Sequence, residues 1–504
     1  MTRLNRVLEL PLLVILLGVC SALMLAPAAY ALALYQFDIA RSFFYVSCIL
    51  LVITSMVGLA TAGARPRDGV QTQLLAIVSA YVILPVALAL PILQAVPQMG
   101  FADAWFEMLS AFTTTGATVF DEPSLVANPV HFWRALVGWI GGLFTLVVTL
   151  SVLVPRGFGG VELLGLRASA QGGGDGAPSN RYADPTNQVM QSCAMVFPAY
   201  AAVTAGLWTG LLLAGDSALV ALLHAMGTVS ASGISPVSGP LNTASGLWGE
   251  GLILVVMGFA LTRAFWPTSA LSDTSRKPWQ DPELRLAGLI VSIAVVFLMM
   301  HRFIFDAQSN GFQTLSDAAR GLWGAVFTCF SFLTTIGFQS TGWSGLGAPG
   351  VILIGLVMIG GGVATTAGGI KLLRVYALLR HGEREVERII HPHSVGGHGP
   401  VARRLRREGA YLGWIVFMLF GLLIAAFAAA LTLTGLGFQD ALTLGIGSLS
   451  NTGQLAVMIG DAPLTYSELS LTQKAILGAA MVVGRLEIFA VFAAFASIGT
   501  QRSW

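Results

Sequence analysis

Four short stretches of the sequence combine small hydroxyl residues with a glycine, and each follows a short, mostly apolar amphipathic segment. They read TTTGAT at 113–118, TVSASGIS at 228–235, LTTIGF at 333–338 and SLSNTGQL at 448–455. Hydroxyl and carbonyl oxygens can replace the hydration shell of a cation, and glycine lets carbonyls turn towards a shared axis without a Cβ clash. None of the four stretches contains a carboxylate, which argues against a calcium-type filter. The pattern therefore indicates a cation filter built from backbone and hydroxyl oxygens.

The elements that must position these stretches repeat with them. The glycines Gly116, Gly233, Gly337 and Gly453 are 117, 104 and 116 residues apart, and each lies between two long apolar segments. This predicts a helix–half-helix–loop–helix unit used four times, which is stronger evidence than any single motif. Irregular backbone is tolerated at membrane depth where it lines a wet cavity, and the inward end of each half-helix directs partial negative charge to the pore axis. The alternative, that small residues only let helices pack closely, explains one such stretch but not four.

The composition requires a membrane. Of the 504 residues, 55% are hydrophobic and 10% are charged, whereas a soluble domain has about a quarter charged residues. A membrane span needs about 20 apolar residues. Lipid therefore covers much of the surface, and the net charge of +2 gives no reason to expect a nucleic-acid partner. Ten apolar segments are candidate spans: 8–34, 42–62, 71–95, 132–155, 188–214, 246–266, 284–304, 349–373, 409–434 and 472–498.

The distribution of positive charge sets the orientation. With the N-terminus inside, 21 of the 27 Lys and Arg residues fall in cytoplasmic loops or at cytoplasmic helix ends. This bias predicts that both termini are cytoplasmic. The connection 156–187 is Gly-rich and predicts a flexible linker. The connection 374–408 is a strongly basic loop whose arginine run at 403–407 would face anionic lipid.

A glycine-rich stretch interrupts the segment 349–373. Residues 360–369 read GGGVATTAGG, and five glycines in ten residues each disfavour helix by about 1 kcal/mol relative to alanine. This indicates a hinge or a loop in a cavity, with close helix packing as the alternative. Arg485 lies within the last apolar segment, where an ionisable side chain is expensive. It either pairs with Glu487 or another helix end, or it supplies a fixed positive charge below the filter and contacts the glycine-rich stretch. Lys371 and Arg374 are expected to anchor a cytoplasmic helix end at the interface, and Lys371 is also expected to contact the glycine-rich stretch.

Together these motifs resemble the TrkH-type subunit of the Trk/Ktr/HKT potassium transporter superfamily. The filter stretches carry the resemblance together with WIGG at 139–142, TAGGIK at 366–371 and GRLEIF at 484–489. It implies an all-α polytopic membrane protein with two accessory helices and four M1–pore-loop–M2 repeats around a pseudo-fourfold pore. In this family glycine in all four filters goes with potassium and serine in the first goes with sodium. The resemblance therefore implies potassium uptake, K⁺ as the transported ion, no bound organic cofactor and no enzymatic activity.

The resemblance also assigns residues. The gate would be the intramembrane loop, with Thr365 and Thr366 lining the ion path. The sequence departs from the family at Ser232, at Ala364 and Thr365, and after WIGG at Leu143. The selectivity filter would consist of Thr114, Thr115, Gly116, Ala231, Ser232, Gly233, Thr335, Ile336, Gly337, Asn451, Thr452 and Gly453. The gate residues would be Gly361, Gly362, Thr365, Thr366, Gly368, Gly369, Lys371 and Arg485.

An organisation and a set of partners follow from the same resemblance. The partners would be membrane lipid, a second copy in a homodimer, and cytosolic TrkA-like nucleotide-binding regulatory subunits. The location would be a bacterial inner membrane. The regions would be an accessory two-helix region at 1–69, repeat 1 with a linker at 70–187, repeat 2 at 188–281, repeat 3 with the gate and basic loop at 282–408, and repeat 4 at 409–504.

Two alternative functions stay open at this point. A proton- or sodium-coupled symporter would need acidic residues within the spans, and Glu9 and Glu487 near helix ends are the nearest candidates. An intramembrane serine hydrolase would use Ser230 or Ser232 with His224 as its base. A single active site would not explain a loop that occurs four times.

Overall fold

The computed structural model describes ten stretches of the chain, and every regular element within them is helical. The expected all-α membrane fold is confirmed. The described residues are 11–61, 70–153, 185–237, 239–241, 245–266, 281–305, 315–341, 350–391, 400–459 and 464–486. The linker predicted at 156–187 lies almost wholly outside them.

The N-terminal part forms the two accessory spans. Helices α1 (Leu12–Leu23) and α2 (Leu25–Ala33) together make the first span, and α3 (Phe37–Thr61) makes the second. The hydroxyl of Ser47 donates to the carbonyl oxygen of Ser21 at 2.7 Å and ties the two spans together. The ring of Phe43 packs edge-on against Trp133, so that the accessory helices lie against the first repeat.

Four repeats follow, each with an outer helix, a short pore helix and an inner helix. Each pore helix is amphipathic, follows the outer helix of its repeat and ends at one of the four hydroxyl–glycine stretches. Repeat 1 comprises α4 (Val70–Ala95), α5 (Phe101–Phe112) and α6 (Asn128–Val148, extended by a π-turn at Thr149–Leu153). Repeat 2 comprises α7 (Pro185–Leu213), α8 (Ala218–Val229) and α9 (Gly246–Leu261). Repeat 3 comprises α10 (Pro282–Phe305), α11 (Leu315–Leu333), α12 (Gly350–Ile359) and α13 (Leu372–Ile390). Repeat 4 comprises α14 (Pro400–Leu433), α15 (Phe438–Leu449), a short turn α16 (Leu455–Met458) and α17 (Leu471–Leu486).

Seven of the ten predicted spans are helices long and apolar enough to cross a membrane. The other three are shorter within the described residues. The segment 246–266 is helical only to Leu261, and the segment 472–498 is described only to Leu486. The segment 349–373 is interrupted, as its glycines predict, because the helix stops at Ile359 and a new helix begins at Leu372. The glycines between these residues break the helix, as their composition indicates.

The basic connection 374–408 is not a loop. Helix α13 continues to Ile390 and α14 already begins at Pro400, so the described residues of this connection are largely helical. The arginine run at 403–407 lies on α14. His381 is exposed on α13 and His391 ends it, whereas His393 and His398 lie outside the described residues. Apolar residues at helical spacing, such as Val375, Leu379 and Val386, give α13 an apolar face. The count of charged residues alone does not show this periodicity.

Candidate functional site

All four pore helices end in the same backbone motif. We call the residues that follow them filter loop 1 (Thr113–Gly116), filter loop 2 (Ser230–Gly233), filter loop 3 (Thr334–Gly337) and filter loop 4 (Ser450–Gly453). In each loop the second residue has a positive φ of 55° to 59°. Its N–H bonds to the carbonyl three residues back, and the next N–H bonds to the carbonyl five residues back, at 2.7–3.2 Å. This pair of bonds is the Schellman motif, which ends a helix through one left-handed residue.

The left-handed position is not occupied by glycine in any repeat. It holds Thr114, Ala231, Thr335 and Asn451. A left-handed conformation costs a non-glycine residue about 1–2 kcal/mol, with asparagine tolerating it best. The surrounding structure therefore holds these four residues in a strained conformation, as is common at functional sites.

Replacing Ala231 with glycine is expected to stabilise the protein by about 1 kcal/mol, because glycine adopts the left-handed conformation without the Cβ clash. Thermal unfolding in detergent measures the change. Ala225→Gly is the matched control, because Ala225 is equally buried but lies inside α8, where glycine costs about 1 kcal/mol. A lower melting temperature for Ala231→Gly would contradict the strain assigned to this loop.

The four filter loops form a closed ring. A Cβ on Gly116 would overlap the carbonyl oxygen of Ser232 in filter loop 2. A Cβ on Gly233 would overlap the carbonyl oxygen of Ile336 in filter loop 3. Gly337 in turn faces Gln454 beside filter loop 4, and Gly453 faces Ala117 beside filter loop 1. Each glycine thus lies against the next loop in chain order, and the fourth returns to the first.

Every residue predicted for the filter lies in this ring and is buried. Cross-loop bonds lock it: the Gly453 N–H donates to the Thr115 carbonyl oxygen at 2.6 Å, and Asn451 Nδ2 donates to Thr115 Oγ1 at 3.1 Å. Gln454 Nε2 donates to the Gly116 carbonyl oxygen at 3.2 Å. Within the four filter loops, three buried side-chain oxygens have no hydrogen-bond partner among the described residues: Thr114 Oγ1, Ser450 Oγ and Asn451 Oδ1. The ring therefore combines carbonyl and hydroxyl oxygens in a place where the pore-helix ends add partial negative charge.

The backbone beyond filter loop 1 is held by a buried ion pair. Glu107 on α5 and Arg134 on α6 are 2–3% exposed, and Arg134 Nε lies 2.5 Å from Glu107 Oε1. The other carboxylate oxygen accepts from the Val119 N–H at 2.9 Å and from Thr118 Oγ1 at 3.1 Å. Full pairing compensates the cost of burying both charges. The Glu107 carboxylate therefore fixes the backbone segment that follows filter loop 1.

Other repeats use different anchors. In repeat 2, His224 Nε2 lies 2.9 Å from Ser235 Oγ. In repeat 4, the Tyr466 hydroxyl donates to the Gly453 carbonyl oxygen at 2.9 Å. Lys474 Nζ reaches Asp103 at 2.5 Å and connects α17 to the pore helix of repeat 1. The ring is pseudosymmetric in its backbone but not in the side chains that support it.

The broken helix of repeat 3 forms a loop directly beneath the ring. We call residues 360–371 the gate loop. The Gly368 N–H donates to Thr335 Oγ1 at 2.8 Å, and a Cβ on Gly368 would overlap the Ser450 carbonyl oxygen. Thr366 Oγ1 donates to the Val229 carbonyl oxygen at 3.2 Å. The gate loop therefore contacts filter loops 3 and 4 and the end of the pore helix of repeat 2.

The other end of the gate loop is held by the second repeat. Helix α9 stops at Leu261, so the Ala260 carbonyl oxygen is left for partners outside the helix. It accepts from the Gly362 N–H at 3.0 Å and from Thr365 Oγ1 at 2.9 Å. The Val363 N–H donates to Glu283 Oε1 at 2.9 Å, and this fully buried carboxylate lies 3.6 Å from Arg263. At this end the gate loop is thus held by Ala260 of repeat 2 and by the Glu283 carboxylate of its own repeat.

Arg485 connects the gate loop to the inner helices of repeats 1 and 4. Its Nη1 donates to the Thr366 carbonyl oxygen at 2.8 Å and its Nε donates to Thr145 Oγ1 at 2.9 Å. The side chain is 5% exposed and lines a small cavity beneath the ring with Thr365, Gly368 and Lys371. The predicted contact with the gate loop is present in the structure. The alternative partner, Glu487, lies outside the described residues.

Two predictions about basic residues are wrong. Lys371 and Arg374 do not sit at the interface, since they are 8% and 4% exposed. Lys371 Nζ donates to the Ala367 carbonyl oxygen within the gate loop, and Arg374 Nη1 donates to the Ile370 carbonyl oxygen at 3.3 Å. Both side chains fold back to cap carbonyls that the broken helix leaves without helical donors.

The serine hydrolase arrangement is not formed. His224 pairs with Ser235, whereas Ser230 Oγ donates to the Met226 carbonyl oxygen at 2.7 Å and lies 2.9 Å from Ser232 Oγ. Ser232, where the sequence departs from the family pattern, packs towards Gly138 on α6. No base is placed beside either candidate nucleophile among the described residues.

Four buried carboxylates were not predicted from the sequence, those of Glu107, Asp216, Glu250 and Glu283, each 6% exposed or less. The acidic residues considered instead, Glu9 and Glu487, lie outside the described residues. A charged residue next to a long apolar run was the available signal for Glu250, which follows GLWG at the start of the segment 246–266.

Comparisons with known proteins agree with this geometry. The family model described as TrkH, cation transport protein, matches residues 39–504. The Trk system potassium uptake protein TrkH of Vibrio parahaemolyticus is 28% identical over 488 residues, covering 94% of this chain and 95% of that protein. The Escherichia coli protein of the same name is 26% identical over 480 residues, with the same coverage. The crystal structure of the potassium transporter TrkH from Vibrio parahaemolyticus superimposes with a TM-score of 0.77 at 23% identity and covers 98% of this chain and 99% of that one.

Proposed function

The chain belongs to the TrkH family of cation transport proteins, and from this premise we propose that it takes up potassium across a bacterial inner membrane. The observation that carries the proposal is the closed ring of four filter loops, each at the inward end of a pore helix. The curated relatives named as potassium uptake proteins support the choice of ion. A membrane transporter of this family is not an enzyme.

Selection takes place in the ring. A potassium ion sheds water and is coordinated by carbonyl oxygens of Thr115, Ser232, Ile336 and Thr452 and of the glycines that follow them. Hydroxyl oxygens of the filter loops add to the site. The pore-helix ends favour a cation there through their partial negative charge. No step requires a resident cofactor.

The gate loop controls passage below the ring. In the arrangement described it lies against filter loops 3 and 4, so that ions pass only when it moves aside. Its glycines allow the movement, and Thr365 and Thr366 lie beside the path. Arg485 holds the loop from the opposite side and places a positive charge next to the path, which limits the number of ions beneath the filter.

The organisation expected from the sequence completes the proposal. The accessory region is 1–69, and the four repeats occupy 70–187, 188–281, 282–408 and 409–504. The protein acts as a homodimer with one pore in each protomer and with both termini in the cytoplasm. Cytosolic TrkA-like nucleotide-binding subunits act on the gate loop through the cytoplasmic helices, of which α13 connects directly to the loop.

Cation uptake into proteoliposomes tests the proposal. Purified protein, with and without a nucleotide-binding partner, is compared for K⁺, Rb⁺, Na⁺ and Li⁺ while a pH-sensitive dye reports proton movement. We expect uptake of K⁺ and Rb⁺ over Na⁺ and Li⁺, without proton movement. Proton or sodium flux in fixed ratio to potassium would favour the symporter instead, and equal uptake of all four cations with the partner present would refute the filter.

A further inference from the structure

We propose that Glu250 is a positioning residue for filter loop 3, so that the second repeat helps to set the ion selectivity of the third. The proposal rests on the proposed function of the ring. Glu250 is the fifth residue of α9, and its side chain is 2% exposed. Among the described residues, its hydrogen-bond partners are Trp323, Ser340 and Thr341, which lie outside the four filter loops. It acts through the backbone that leaves filter loop 3.

The carboxylate of Glu250 is surrounded by four donors. Its Oε2 accepts from Trp323 Nε1 at 2.6 Å and from Ser340 Oγ at 2.8 Å. Its Oε1 accepts from the Thr341 N–H at 3.1 Å and from Thr341 Oγ1 at 3.3 Å. Trp323 belongs to the pore helix of repeat 3, and Ser340 and Thr341 follow Gly337 by three and four residues. One carboxylate thus joins the pore helix of repeat 3 to the segment that follows filter loop 3.

The four donors are uncharged, which makes this site different from that of Glu107. Within the described part of the chain, no ion pair involves Glu250, whereas Glu107 is paired with Arg134. A buried carboxylate keeps its charge when several hydrogen bonds replace its hydration. Without these donors the buried carboxylate of Glu250 would have no hydrogen-bond partners. The carboxylate and the segment that follows filter loop 3 therefore hold each other in place.

In repeats 1 and 2, a side chain of the pore helix itself takes the place that Glu250 has in repeat 3. Nine residues before the filter glycine lie Glu107 in repeat 1 and His224 in repeat 2. Each bonds to the backbone segment or side chain that follows its own filter loop. The equivalent in repeat 3 is Thr328, which accepts only a long bond of 3.4 Å from the Ser340 N–H. A threonine is too short to reach the strand as the carboxylate does. Glu250 supplies the missing anchor from the neighbouring repeat.

The test measures the ratio of K⁺ to Na⁺ uptake in proteoliposomes for Glu250→Gln. Glutamine keeps the size of the side chain, but its amide nitrogen faces donors and at least two of the four bonds are lost. We expect the ratio to fall about tenfold, because the segment that follows filter loop 3 is then held by fewer and weaker bonds. Trp323→Phe removes one of the four bonds and keeps an aromatic side chain, so we expect a smaller fall of about threefold.

Asp216→Asn is the matched control. Asp216 is also a buried carboxylate of repeat 2, and it bonds to the N–H and hydroxyl of Ser245 at the start of the same helix, at 2.8 and 2.9 Å. We expect this variant to lower the melting temperature in detergent and to leave the K⁺ to Na⁺ ratio unchanged. If Glu250 matters for folding alone, Glu250→Gln and Asp216→Asn both lower the melting temperature. Neither then changes the K⁺ to Na⁺ ratio.

The outcomes separate this inference from the proposed function. A folded Glu250→Gln protein with a ratio within twofold of the wild type overturns the inference. If that variant does not fold, the combined variant Trp323→Phe with Ser340→Ala takes its place, and an unchanged ratio overturns the inference in the same way. A wild-type protein that does not distinguish K⁺ from Na⁺ overturns the proposed function first, and a change of ratio in Gly116→Ser without one in Glu250→Gln overturns the inference alone.

Discussion

Gly116→Ser is expected to lower the ratio of K⁺ to Na⁺ uptake by at least tenfold. Gly116 has a φ of +71°, and a Cβ there would overlap the carbonyl oxygen of Ser232. This carbonyl belongs to the backbone, so it cannot turn aside as the end of a flexible side chain can. Moving it changes the size of the ring and the coordination of the ion, and a difference of about 1.4 kcal/mol between the two ions is a tenfold change. Uptake of the two ions into proteoliposomes measures the effect.

Gly435→Ser is the matched control for this substitution. Gly435 also has a positive φ, +96°, and precedes the pore helix of repeat 4, but a Cβ there would meet no atom within 4 Å. Its replacement brings the same kind of backbone strain without a collision in the ring. We expect a lower melting temperature and an unchanged ratio. An equal loss of selectivity in both variants would mean that general destabilisation, rather than the ring, accounts for the effect at Gly116.

The ring also predicts that the four glycines differ in sensitivity. Gly233, like Gly116, faces a backbone carbonyl, that of Ile336. The nearest obstacle to a Cβ on Gly337 is the side chain of Gln454, at 2.8 Å. A side chain can move at lower cost than backbone. The family pattern gives all four glycines the same role, and only the packing distinguishes them.

The main features of the fold could be read from the sequence because they depend on local signals. Apolar length located seven spans, and the hydroxyl–glycine stretches located the end of every pore helix. The glycines at 360–369 located the break in repeat 3. Each signal lies within one contiguous segment of the chain, so it can be read from a single sequence.

Features that depend on long-range packing could not be read in this way. Lys371 and Arg374 follow an apolar segment, and their sequence context is that of an interfacial anchor. They are buried because the broken helix leaves carbonyls that need donors, a fact that appears only when the loop is folded beneath the ring. Glu250 is 90 residues from Ser340, and nothing local indicates that the two side chains meet.

The largest expected effect on gating is that of Gly368→Ala, which should raise potassium uptake in the absence of any partner about tenfold or more. A Cβ on Gly368 would overlap the Ser450 carbonyl oxygen, and the Gly368 N–H bond to Thr335 Oγ1 would be lost as the loop shifts. Both changes disfavour the position of the loop beneath the ring. A shift of about 1.4 kcal/mol in this balance changes the ratio of the two states tenfold. Uptake of K⁺ by proteoliposomes without the cytosolic subunit measures it, and the K⁺ to Na⁺ ratio should stay high because the filter loops keep their own contacts.

Gly355→Ala distinguishes gating from a change in the helix that carries the loop. Gly355 lies on α12 one turn before the gate loop, and a Cβ there would meet no atom within 4 Å. Alanine favours helix by about 1 kcal/mol over glycine, so this variant should be slightly more stable and should keep the low basal uptake of the wild type. Unchanged basal uptake in Gly368→Ala would contradict a gate at this position, because the substitution cannot be accommodated while the loop stays against filter loop 4. Loss of all uptake, with and without the partner, would instead assign the loop to holding the filter in shape.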